Sequence, residues 1–174
     1  MARIPYADCS SEAARPLAER IIAERGSILH LYQMLMHSTP IAQGWLGYLT
    51  AIRQQSSLAG ALRELIIMRV ALLNNAPYEA QQHAPIALQE GMTQVQLDAL
   101  QAWEHSEAFA DDERAVLAYT DAMTRSVQVP EAVFAAVSAL FPPAQIVEIT
   151  ATVAAYNMVS RFLEALQIHS HDPR

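Results

Sequence analysis

The segment from Ser57 to Asn75 sets the terms for the rest of the chain. Its centre, LIIMRVALL at 65–73, is apolar nearly all the way round a helix. Such a helix is stable only when other elements cover it on more than one side. Elsewhere apolar residues recur with helical period, and no run alternates apolar and polar residues with the β-branched content of a strand. With 174 residues, 52% hydrophobic and 17% charged, the chain can build one sizeable core. The expected fold is all-α, a multi-helix bundle in a single domain. Its apolar content exceeds that of an average soluble domain, which calls for a large core or a buried subunit interface.

Helices are expected over 10–25, 28–37, 40–54, 57–75, 78–90, 93–103, 111–125, from Pro130 to the FPPAQ stretch, and over 144–166. Pro16 falls in the first turns of the first helix or delays its start. The breaks are STP at 38–40, NNAP at 74–77, and Gly91 followed by a Thr93 cap. The organisation read from this is an N-terminal helical extension at 1–39, a main helical domain at 40–168, and a flexible tail at 169–174. ALRELIIMRVALLNN and AQIVEITATVAAYNM echo one another weakly, with Glu64 aligned on Glu148.

Several function classes fall away. No window holds the ~18 uninterrupted apolar residues of a membrane span. The start, MARIPYADCSSEAARPLAER, has no apolar signal region, so a secretory leader is not expected. Cys9 is the one cysteine, which removes intrachain disulfides, CxxC chemistry and cysteine-based zinc sites, and points to a reducing cytoplasm. The net charge is −7 and all 11 basic residues are scattered arginines, the wrong pattern for nucleic acid.

Glu79 and His83 stand four apart on one helix face, with Tyr78 beside them. A carboxylate next to an imidazole fixes its tautomer and lets it exchange protons near neutral pH. The same spacing also serves as a solvated ion pair. Glu64 lies in a helix too apolar to leave a buried carboxylate unpaired at low cost. Whether it reaches His83 depends on how the two helices cross, about which the spacing is silent. A metal site is not expected: di-iron bundles use Glu-x-x-His, whereas the spacing here is Glu-x-x-x-His. His30 and His37 share a face but have no carboxylate at that spacing. His105, His169 and His171 fall in a loop and the tail, where they are expected to be solvated. Met34, Met36 and Met68 read as core filler. Tyr156 and Asn157 read as core hydrogen-bonding groups or pocket residues, and Arg161 as a partner for Glu148 or for a substrate carboxylate.

The span RELIIMRVALLNNAPYEAQQHAPIALQEGMTQVQLDAL resembles the carboxymuconolactone decarboxylase family, which shares its fold with alkylhydroperoxidase D. The shared pattern is a Glu, an apolar helix, a short break, YE, a nearby His and a Gly before the next helix. VEITATVAAYNMVSRFLEALQI resembles the family's last helix, so the likeness covers most of 40–168. In the peroxidase branch a Cys-x-x-Cys pair lies between the Glu and the His. Here those positions hold Ala76 and Glu79, so the resemblance implies the branch without the thiols. It also implies cofactor-free acid–base chemistry on a small organic acid, with His83 as proton donor, Glu64 and Glu79 orienting it, and Tyr78 adding a hydroxyl. Arg69, Arg161 and Tyr156 are the candidates to bind the substrate. A homotrimer or hexamer is implied. Two rivals are a peroxidase using Cys9 or a partner thiol, and a non-catalytic ligand-binding oligomer.

Overall fold

The computed structural model describes residues 1–172, and over these every regular element is helical. The helices are α1 (Arg15–Arg25), α2 (His30–Leu35), α3 (Thr39–Thr50), α4 (Gly60–Leu73), α5 (Pro77–Gln89), α6 (Gln94–Ala99), α7 (Asp111–Ser126), α8 (Glu131–Leu140) and α9 (Pro143–Leu166). A π-helical turn, Ala51–Gln55, extends α3, and a 3-10 segment, Leu100–His105, extends α6. The helix expected from residue 10 begins at Arg15, because Pro16 sits in its first turn, where a missing N–H costs nothing. No helix among the described residues is long and apolar enough to cross a membrane.

The described residues divide into two compact units, 1–55 with 162–172, and 56–161. The boundary expected at 39/40 falls at the start of α3, inside the first unit. In that unit α1 and α2 pack on α3. Arg25 ties them together, donating to Thr50 Oγ1 at 2.7 Å and to Tyr32 Oη at 3.3 Å. Trp45 packs against Phe162, with ring centroids 5.2 Å apart. Met34 and Met36 are core residues as expected, and His30 is buried with them. Tyr6 donates to Asp172 at 2.6 Å. Of the expected flexible tail, residues 173 and 174 lie outside the described residues.

In the second unit α4 is the central element, packed between α5 and α7. Nine consecutive α4 residues, Arg63 to Ala71, are buried, as its all-round apolar sequence requires. Leu65 and Met68 join Ala87, Met92, Leu100, Trp103, Phe109 and Leu117 in one apolar cluster.

The turn from α4 to α5 decides what the site can be. Asn75 takes φ +55°, a left-handed conformation that Asn tolerates better than most side chains. Around it Ala76 N–H donates to Ala71 O at 2.9 Å and Asn75 N–H to Leu72 O at 3.2 Å. This is the Schellman pair that closes a helix and reverses the chain. Pro77 then starts α5 where its fixed φ fits. The helix runs back along α4, bringing residue 83 opposite 64 and residue 90 opposite 60 and 63. A second Schellman pair, Met92 N–H to Ala87 O and Gly91 N–H to Leu88 O, closes α5 with Gly91 at φ +108°. Thr93 and Gln96 then form the capping box of α6.

Candidate active site

His83 is held by carboxylates on both ring nitrogens. Nδ1 lies 2.6 Å from Glu64 Oε2, and Nε2 lies 3.2 Å from Glu79 Oε1. The Glu79 contact follows from helical spacing; the Glu64 contact comes from the α4–α5 reversal. Glu64 has no exposed surface, while Glu79 and His83 keep 4% and 5% of theirs. All three members of the row are therefore buried. Burial by itself would depress the His83 pKa. Hydrogen bonds to Glu64 and then Glu79, followed by their charges, outweigh it and raise the pKa to about 9. At neutral pH His83 is an imidazolium with both N–H groups donating. Tyr156 meets the ring edge-on, with centroids 5.2 Å apart and planes at 88°. It forms an aromatic wall against the cation.

One member of the cluster was not singled out from the sequence. Arg63 is buried, with Nε 3.4 Å from Glu64 Oε1 and Nη2 3.1 Å from Glu90 Oε1. Glu64 therefore serves a cation on each oxygen. A signal existed in the LRELI stretch, where two adjacent charged residues enter a helix that is buried all round.

The other expected residues separate. Tyr78 is buried in the first turn of α5, beside Glu79. Arg69 does not belong to the site. Its guanidinium meets Asp121 in a bidentate pair, both contacts 2.6 Å, and also donates to Leu100 O at 2.7 Å. Asp121 accepts from Trp103 Nε1 at 3.4 Å as well. This buried network ties α4 to α7 and the 3-10 segment, so Arg69 is a structural clamp and not a free substrate anchor. Arg161 is exposed and donates to Asn157 Oδ1 at 2.5 Å, not to Glu148. Glu148 instead accepts from Ser57 N–H and Oγ–H, at 3.0 and 2.7 Å. The echo between Glu64 and Glu148 thus ends at the sequence, since the second glutamate holds the entry to α4. Asn157 is a half-buried hydrogen-bonding group, accepting from Asn74 and donating to Thr124. Among the described residues no group of three or more His, Cys, Asp or Glu is arranged to hold a metal ion.

Residues 40–122 match the model of the carboxymuconolactone decarboxylase family. Over those residues the chain is similar to that family. Within the matched span lie Arg63, Glu64, Glu79, His83 and Glu90, whereas Tyr156 comes from beyond it. No curated protein sequence matches the chain. Solved structures do. One is an alkylhydroperoxidase AhpD core from Ralstonia eutropha JMP134, a peroxidase-related protein (18% identity, 98% of this chain and 93% of that chain, TM-score 0.83). Another is the debrominase Bmp8 in complex with 2,3,4-tribromopyrrole (17% identity, 98% and 94%, TM-score 0.83). A third is a peroxidase-related protein from Silicibacter sp. TM1040 (17% identity, 95% and 88%, TM-score 0.81). At these identities the likeness shows a common alkylhydroperoxidase D-like fold.

Proposed function

We propose that the chain is a cofactor-free acid–base enzyme acting on a small organic acid, with Glu64, His83 and Glu79 as its proton relay. The observation that carries this reading is the double engagement of His83, a buried imidazole between two carboxylates. Loss of carbon dioxide breaks a carbon–carbon bond and leaves the electron pair as an enolate on the neighbouring carbonyl. A fixed positive charge lowers the energy of that anion, and a proton returned to carbon completes the step. His83 supplies the charge and the proton, Glu64 and Glu79 hold the ring between them, and water returns a proton to the imidazole to complete the cycle. The same parts serve proton transfer next to the carbonyl of a lactone or keto acid. Because Arg69 is committed to Asp121, Arg161 is the exposed candidate for the substrate carboxylate.

A thiol peroxidase reading is weaker. Cys9 lies in the first unit, 3.6 Å from Ala7 O. Burial, and then the charge of Asp8, push its thiol pKa up, away from the reactive thiolate. We place the protein in the cytoplasm as a homo-oligomer, a trimer or hexamer, with no nucleic-acid or membrane partner. The supporting feature is the apolar helix α8, where Phe134 and Leu140 are exposed.

The test is a panel of small lactones and β-keto acids followed by proton NMR in deuterated water. Deuterium incorporation or carbon dioxide release that falls ~10²–10⁴-fold in His83→Ala supports the reading. No turnover of any panel member, or full turnover by the variant, counts against it.

A further inference from the structure

The two ends of the α4–α5 hairpin meet beside the relay in a way the relay itself does not require. Glu90, the residue that closes α5, folds its carboxylate onto the first turn of α4. There it comes so close to Gly60 that a β-carbon at position 60 would overlap Glu90 Oε2. From that seat Glu90 Oε1 reaches Arg63 Nη2 at 3.1 Å, and Arg63 Nε reaches Glu64 Oε1 at 3.4 Å. Glu64 Oε2 is thereby left for His83 Nδ1 at 2.6 Å. A bare α-carbon, an anion, a cation, the sealed carboxylate and the imidazole form one continuous row.

We propose that Arg63, seated by Glu90 over the bare α-carbon of Gly60, is a positioning and charge-setting residue for the relay. It holds Glu64 Oε1 so that Oε2 faces His83, and its charge limits the negative field that Glu64 lends to the ring. Glu90 in turn limits Arg63. This inference rests on the relay reading above and assigns roles to three residues outside it.

The signs follow from the charges. The groups facing His83 are Glu64 from α4, Glu79 from its own helix and the Tyr156 ring from α9, with Arg63 and then Glu90 behind Glu64. Removing the Arg63 cation deepens the negative potential at the ring, so the proton is held more tightly. Removing the Glu90 anion does the reverse, and it frees Arg63 to draw closer to Glu64. An alanine at position 60 removes no charge but displaces the Glu90 carboxylate. It should therefore move His83 in the same direction as the loss of the Glu90 charge. Gly60 stands at the start of a helix with an ordinary backbone conformation, and the displaced atoms are the end of a flexible, partly exposed side chain. The fold should survive that change.

The experiment is an NMR titration of histidine-labelled protein from pH 6 to 10.5, reading the His83 midpoint, with a thermal melt of each variant as a check of folding. Arg63→Gln should raise the midpoint. Glu90→Gln and Gly60→Ala should both lower it. Each shift should be on the order of one pH unit, the size expected of a unit charge one carboxylate away at an effective dielectric constant of ~20. Arg63→Lys keeps the charge and should stay near the wild-type midpoint. A wild-type midpoint near 9 that none of the folded variants moves would overturn the positioning role and leave the relay standing. So would Gly60→Ala moving opposite to Glu90→Gln. A wild-type midpoint near 6.5 would overturn the relay itself, and this inference with it.

Discussion

The imidazolium at the centre of the site makes the stability of the folded protein depend on pH in an alkaline window. His83 has an ordinary pKa of 6.5 when the chain is unfolded and about 9 when folded. The folded state therefore binds the proton more tightly. The stabilisation is fully present below about pH 6.5 and is lost as pH rises through about 9. At ~1.4 kcal/mol per unit of pKa difference, the interval corresponds to about 3 kcal/mol. The side chain is almost wholly buried, so solvent screening takes little from that figure. Urea denaturation followed by tryptophan fluorescence at several values between pH 6.5 and 9.5 measures it. The wild type should lose about 3 kcal/mol over the window. His83→Gln has no ring to titrate, and although it is less stable throughout, its pH dependence should be flatter by that amount. Parallel curves for the two proteins would refute the reasoning, because the stabilising proton would then not be on His83.

Asp121→Ala should lower unfolding free energy by about 3–5 kcal/mol, since it strands the buried Arg69 guanidinium, while the His83 midpoint measured by NMR stays in place. Cys9→Ser should change stability by less than about 0.5 kcal/mol in the same denaturation assay and leave turnover unchanged; a large loss of activity would revive the thiol reading. Sedimentation at micromolar concentration should give a mass above the 19.2 kDa of one chain, with ~1,000 Å² or more buried per contacting pair. A mass of one chain at every concentration would exclude the oligomer.

The helical class and most helix boundaries were legible because they rest on local properties. Apolar periodicity, Pro77, Gly91, the Thr93 cap and the acidic start of α7 each act within a few residues of themselves. Where the reading slipped, the cause was also local. Ser10 to Ala14 looked like a helix start, but the regular helix begins only at Arg15, with Pro16 in its first turn. Arg63 was passed over because residues 63 and 64 point to different parts of a helix surface; only burial on all sides brings both into one network. The pairing of Arg69 was not legible because its partner, Asp121, lies 52 residues away on another helix.

The sequence by itself determined that the chain would be helical, that the segment at 65–73 would be covered all round, and that Glu79 and His83 would share a face. These follow from 3.6 residues per turn and from the cost of exposing apolar surface. Tertiary structure alone decided that Glu64 reaches His83, that Glu90 reaches Arg63, and that Arg69 is taken by Asp121. Contacts between helices depend on how the chain reverses and on which side chains interlock across the gap, and neither is a property of one helix. For the site, the decisive reversal is the left-handed Asn75 between two helices. It lays α5 back along α4 and closes a carboxylate, an imidazole and a second carboxylate into one row.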